Sequence, residues 1–293
     1  MDKNLEQFET KIGKKIDFNN IHDYKDERDN NNNTVYHYLA WLGNYESLKK
    51  AIQENPEIIN LKNYDNSTIW YFLALSGNYE SIKQAIQDRP EIVNLKNDMN
   101  TTIWHYLAKS GNYESLKQAI QDRPDIINYK NNFNTTIWHF LAEAGNYESL
   151  KQAIQDHPEI VNLKNDFDLT IWHCFSWTGN YESLKQLIQD YPHIVNLKYK
   201  YIESIWYFFA WSGNYKSLKQ AIQDFPDIIN LKNNDNKTIW HYFAKSKNDK
   251  DLCKLYDEFK FDVSIKKDVI ERHILKQELK QEILEELKND GII

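Results

Sequence analysis

Cysteine is almost missing from this chain: Cys174 and Cys253 are the only two among 293 residues. Two thiols cannot make a disulfide framework, so a reduced, cytosol-like setting is expected. No run approaches the ~20 consecutive apolar residues of a membrane-spanning helix, and no membrane insertion is expected. The opening residues, Met1-Asp2-Lys3-Asn4-Leu5-Glu6, lack the apolar stretch of a classical signal peptide. An excess of positive charge is absent as well, since 36 Lys and Arg stand against 43 Asp and Glu for a formal net charge of -7. That balance argues against a nucleic-acid partner. There is no G-x-S-x-G elbow, no Walker-type glycine loop and no C-x-x-C pair, so no cofactor is expected.

What the chain does have is a period. Trp70, Trp104, Trp138, Trp172, Trp206 and Trp240 are each 34 residues apart, and Tyr36 extends the series backwards. All six prolines, from Pro56 to Pro226, keep that interval, as do six of the eight glycines, from Gly43 to Gly213. Seven units begin at Thr34, Thr68, Thr102, Thr136, Thr170, Ser204 and Thr238. Duplication of one supersecondary element accounts for this self-similarity.

The unit read from Thr102 defines that element. Thr102 is suited to cap a first helix, and Gly111 suits the left-handed conformation that stops one. Asn112 then caps a second helix with Tyr113, Leu116, Ala119 and Ile120 on one face and Glu114, Lys117, Gln118 and Gln121 towards water. Pro124 ends it, because a residue before proline is pushed out of the helical region. The Asn-rich residues that follow read as a turn or hairpin, an extended polar finger. The expected fold is therefore an all-α repeat solenoid of helix-turn-helix-finger units.

Two families share roughly this period. The tetratricopeptide repeat is less similar: Gly111 to Pro124 spans 13 residues, about one turn too few for its second helix. The stretch T-I-W-H-Y-L-A-K-S-G-N resembles the T-P-L-H-x-A-A-x-x-G-H pattern of the ankyrin repeat, and Ile127-Asn128 resembles its late V-N. Seven partial matches stand in register. Ile103 in place of Pro, Trp104 in place of Leu, Leu107 in place of Ala and one residue beyond the usual ~33 depart from the pattern and put its curvature in doubt. The resulting division is an N-terminal helical cap at 1–28, seven ankyrin-like repeats at 29–268 and a C-terminal capping helix at 269–293. Leu5, Phe8, Ile12 and Ile16 form the apolar stripe of the first cap. Leu275, Leu279, Ile283 and Leu287 form one stripe of the last helix, opposite Ile270, Ile274 and Leu284.

Five histidines, His37, His105, His139, His173 and His241, share one slot three residues after the Thr. Stacked equivalents lie roughly 8–10 Å apart, whereas zinc holds its ligands within about 2.0–2.3 Å, so no metal site is expected. The resemblance implies instead a His bonded to the Thr and to nearby backbone. Cys174 stands in an otherwise aromatic slot and reads as a small core or groove residue.

Slots that vary while the framework repeats are those not needed for packing. Seven residues after the Thr stand Trp41, Leu75, Lys109, Glu143, Trp177, Trp211 and Lys245. Three residues before it stand Asn31, Asp65, Met99, Phe133, Phe167, Tyr201 and Asp235. In ankyrin proteins such positions form the concave binding face, so the resemblance implies a non-enzymatic scaffold that binds a partner protein. The candidate contact residues are Trp41, Phe133, Phe167, Trp177, Lys200, Tyr201 and Trp211. The resemblance also implies a cytoplasmic protein, or one secreted into a host cytoplasm as a bacterial effector without a classical signal peptide. Two other readings stay open: a small-ligand receptor or cryptic enzyme using a hollow near Cys174 and Trp177, and a homo-oligomer assembled through the C-terminal helix.

Overall fold

The computed structural model describes residues 15–196, 204–246 and 248–262, together with positions 6, 9, 10, 264–267, 270, 271, 273–275, 277, 278 and 281. Among them every regular element is helical, with isolated antiparallel bridges such as Lys96 to Thr102 in the fingers. The chain divides into two compact units, 1–174 and 175–293. Each is an all-α repeat solenoid in which first helices pack on first helices and second on second.

The first helices of 1–174 are Val35–Trp41, Ile69–Leu75, Ile103–Lys109 and Ile137–Glu143, with Ile171–Ser176 at the division. Ile205–Trp211 and Ile239–Lys245 follow in 175–293. The second helices are Tyr45–Glu54, Tyr79–Asp88, Tyr113–Asp122 and Tyr147–Asp156, then Tyr181–Asp190, Tyr215–Asp224 and Asp249–Phe259. Trp104, Trp138, Trp172 and Trp206 are fully buried, as is Tyr36 at the start of the series. In three repeats the residue before the proline covers this aromatic core: Arg123 lies 6.0 Å from Trp104, His157 4.9 Å from Trp138 and Phe225 5.2 Å from Trp206. In the second helix Tyr113, Leu116 and Ala119 are buried, while Ile120 is only half-buried.

Gly111 turns the corner between the helices at φ 76°, where a Cβ would stand 3.0 Å from the Ala144 Cβ of the next repeat. The following Asn works in two directions. Asn112 Oδ1 accepts the Ser115 N–H at 3.1 Å, capping its own helix, while its Nδ2 donates to the Gly77 carbonyl of the repeat before at 3.0 Å. Asn78 and Asn214 make the same backward bond to Gly43 and Gly179. At the other end of the second helix an Asp carries negative charge where the helix dipole disfavours it. The preceding repeat supplies the counter-charge: Tyr79 Oη donates to Asp122 at 3.0 Å and Lys83 Nζ pairs with it at 3.0 Å. Tyr113 and Lys117 treat Asp156 alike, and Tyr181 and Lys185 treat Asp224 alike.

The connector differs from a wholly extended finger. Its first five residues wind into a 3-10 turn, as in Pro124–Asn128. Proline brings a φ already set for a helical first position and lacks only an N–H that has no use there. The turn drives Ile126 fully into the core. The hairpin follows, held by one side chain: Asn97 Oδ1 accepts the N–H groups of Met99 (3.1 Å) and Thr101 (2.9 Å). Asn131, Asn165 and Asn233 repeat that arrangement. Asn100 and Asn134 adopt the left-handed conformation the turn requires, at φ 60° and 54°.

The seventh repeat departs as an end unit should. Lys260 stands in the proline slot, so the helix Asp249–Phe259 runs on and closes in the left-handed region at φ 47°. Lys247, in the glycine slot, lies outside the described residues, as do Leu5, Phe8, Ile12, Leu279, Ile283, Leu284 and Leu287 of the two cap stripes. Of the residues in those stripes that are described, Ile16 and Ile274 are half-buried, Ile270 is buried and Leu275 is exposed.

Replacing Trp104 with Ala should cost about 3–5 kcal/mol of unfolding free energy, the usual range for a large buried aromatic. Gly111→Ala should cost about 1–2 kcal/mol from backbone strain alone. Trp211→Ala, at a side chain with much of its surface in water, should cost less than Trp104→Ala. Urea melts of the three variants followed by circular dichroism test this ordering.

Candidate functional site

The first helix has a side that faces the fingers. Tyr38, four residues after its Thr, donates its hydroxyl to Asp29 of the finger at 2.7 Å. In the seventh repeat Asn233 of the finger donates to Tyr242 Oη at 2.9 Å. Residues three further on share that side of the helix, which places Trp41, Lys109, Glu143, Trp211 and Lys245 there, with Trp177 in the turn just after Ile171–Ser176.

In 175–293 this row is aromatic and exposed. The Trp177 and Trp211 rings stack at 5.6 Å with an interplanar angle of 21°, and 46% and 37% of their surfaces remain in water. Phe208 lies 5.7 Å below Trp177, and Tyr242 lies 6.3 Å from Trp211. The Lys245 ammonium closes the row 5.3 Å from the Trp211 ring centroid and 5.2 Å from that of Tyr242. In 1–174 the equivalent row is different in character. Lys109 Nζ pairs with Glu143 at 3.2 Å, and Trp41 is half-buried with its ring 6.5 Å from Phe72.

A second apolar row in 1–174 runs along the finger tips. Met99, Phe133 and Phe167 are exposed, and the two Phe rings meet at 5.4 Å. Backbone bonds hold successive tips together: Asn132 N–H donates to the Met99 carbonyl at 2.9 Å and Asp166 N–H to the Phe133 carbonyl at 3.0 Å. Asn134 Nδ2 adds a bond to Asp166 Oδ1 at 2.6 Å. Of the seven residues singled out from sequence, Phe133 and Phe167 thus meet in one row and Trp177 and Trp211 in another. Trp41 is more enclosed than either pair. Lys200 and Tyr201 lie outside the described residues. Sequence reasoning passed over Tyr64, 75% exposed beside the second finger tip, because it occupies neither of the variable slots chosen.

The histidine slot is structural. His37 Nδ1 accepts the Thr34 backbone N–H at 3.0 Å, and its Nε2 donates to the Ser67 carbonyl of the next finger at 3.2 Å. His139 bonds Thr136 and the Leu169 carbonyl in the same way, at 3.3 and 3.0 Å. One ring therefore caps a helix and ties it to the following repeat. Cys174 is buried, and burial pushes its thiol well above the ordinary range; at neutral pH it is a thiol, which is a poor nucleophile. Among the described residues no three His, Cys, Asp or Glu side chains gather as a metal ligand set, and no helix is long and apolar enough to cross a membrane. No family model matches the chain, and no curated protein does.

Burial pushes His37, His105 and His173 down to about 4. The unfolded chain takes up these protons near 6.5, the folded chain only near 4, so their stabilisation is complete above 6.5 and is lost as pH falls towards 4. At about 1.36 kcal/mol per pKa unit, each site is worth up to ~3 kcal/mol at the acid end. Urea midpoints measured from pH 7 to 4 should fall accordingly. The slope should shrink by about one proton in His105→Gln, and an unchanged slope would show that the ring is not held neutral.

Proposed function

We propose that this chain is a non-enzymatic, ankyrin-like repeat scaffold that binds a partner protein through exposed apolar rows on an otherwise invariant frame. One observation carries the reading. Met99, Phe133, Phe167, Trp177 and Trp211 are exposed large apolar residues, and all stand at slots the framework leaves free to vary. Aromatic side chains held rigid in water are suited to become binding hot spots, because they bury much area at little entropic cost. Lateral ring contacts preorganise them, which lowers the ordering cost of association. The sequence resemblance T-I-W-H-Y-L-A-K-S-G-N supports the family, and the buried, reduced thiols of Cys174 and Cys253 suit a reducing compartment. Cytoplasmic residence, or delivery as a bacterial effector that acts on a host protein, belongs to this reading.

The test is affinity capture with mass spectrometry, comparing the wild-type chain with two double variants, Phe133→Ser with Phe167→Ser and Trp177→Ala with Trp211→Ala. A partner retained by the wild type should lose at least 2 kcal/mol of affinity, about thirtyfold, with one pair or the other. Equal retention by all three chains, with unchanged circular dichroism, rejects both rows as the docking surface.

A further inference from the structure

The indole row of 175–293 ends in a cation with no counter-charge among the described residues. In 1–174 the equivalent Lys109 finds its carboxylate in the next repeat, where Glu143 Oε2 lies 3.2 Å away. Lys245 is in the last repeat, and no described residue beyond it supplies that acid. Its ammonium rests instead over Trp211 and Tyr242 and forms no ion pair among the described residues. The neighbouring Lys237 is already matched by Asp235 at 3.2 Å, and Asp262 is the acid that faces His241 on the same helix. The exposed row thus presents two apolar faces and then one unmatched positive charge.

We infer that the segment that docks here is an amphipathic α-helix of the partner, with two apolar side chains one turn apart on Trp177 and Trp211 and a carboxylate a further turn along on Lys245. This deepens the partner-binding reading above and rests on it. The intervals favour a helix. The indole rings are 5.6 Å apart, and the ammonium is 5.3 Å from the second. Positions i, i+4 and i+7 or i+8 on one helical face follow one another at about 5–6 Å. An extended chain places same-face side chains roughly 6.6–6.8 Å apart and falls out of register by the third contact. A carboxylate brought to Lys245 would sit beside apolar rings, where screening is weaker than in open water, and would do for Lys245 what Glu143 does for Lys109. Helix-in-groove recognition of this kind is read through anchors at such spacings.

The experiment presents the immobilised full chain with a displayed library of random peptides under no conformational constraint. The expected consensus has Leu, Phe or Met at i and i+4 and Glu or Asp at i+7 or i+8. Lys245→Glu should weaken the selected peptides about tenfold or more and, in a fresh selection, switch the last position to Lys or Arg. Lys245→Gln, which adds no charge, should abolish the preference without reversing it. A consensus indifferent to the charge at 245, a proline-rich or extended consensus, or no enrichment at all overturns the inference. Peptides that need both indoles, and are lost on Trp177→Ala with Trp211→Ala, but show no acidic preference overturn it while leaving the broader reading intact. Selection indifferent to the indoles removes this row from that reading as well.

Discussion

The structure depends on polar groups that one repeat leaves unfinished and the next completes. First helices of seven residues, such as Ile103–Lys109, are far shorter than the ~12–15 residues at which an isolated helix becomes even marginal in water. They persist because their ends are tied outward. The Gly77 carbonyl, exposed by the left-handed turn, is taken by Asn112, and the Ser67 carbonyl of a finger is taken by His37 of the preceding helix. The Asp122 charge is matched from the preceding repeat by Tyr79 and Lys83. A single unit would leave each of these groups to water or to nothing. Stacking therefore supplies both the buried tryptophan layer and the hydrogen bonds that define where each helix stops.

The frame was legible because these requirements recur. The 34-residue spacing of Trp, Pro and Gly, the Thr cap and the Asn-rich turn each state a local need that sequence expresses directly; the structure has the Asn turn and the cap at Thr34 and Ser204, but Thr68 makes no such bond. The 3-10 turn after proline was not legible, because proline breaks a helix and begins one with the same residue, and only the depth of Ile126 in the core decides between them. The second role of Asn112 was equally hidden, since a bond to a residue 35 positions back has no local signature. The candidate rows were legible as variable slots, but their character was not. Trp41 and Trp211 occupy the same slot, yet Trp41 packs on Phe72 and Trp211 stacks on Trp177, because the ring's setting depends on which side chains the adjacent repeats put beside it.

That slot explains how one frame can carry different surfaces. The backbone around Lys109, Glu143 and Trp211 is the same helix end repeated, with Trp177 one residue past the end of its shorter helix, and none of these caps uses the side chain at that position. An ion pair can therefore stand in one repeat and an indole stack in another without disturbing the corner beneath. The fingers behave alike. Asn97 and Asn131 close their turns through main-chain N–H groups, so the tip between them is free to be Met99 or Phe133. Preorganisation comes from the frame, and chemistry from the two slots it leaves unassigned.

The histidine slot shows the opposite bargain, a position fixed in kind and exposed to pH. Four of its histidines, His37, His105, His139 and His173, lie in 1–174 and only His241 in 175–293. The second and sixth repeats replace the ring with Tyr71 and Tyr207, which meet Tyr106 at 5.0 Å and Tyr242 at 4.8 Å. The histidines make that ring contact as well, His37 with Phe72 at 4.9 Å and His105 with Phe140 at 5.1 Å, but a phenol gains no proton between pH 7 and 4. Protonation therefore strikes the two units unequally. It places up to four uncompensated charges inside the first unit, each breaking a helix cap and, at His37 and His139, disturbing a ring that also ties one repeat to the next. The second unit has one such ring, more open to water. Acid lability is thus a property of where histidine rather than tyrosine fills the slot.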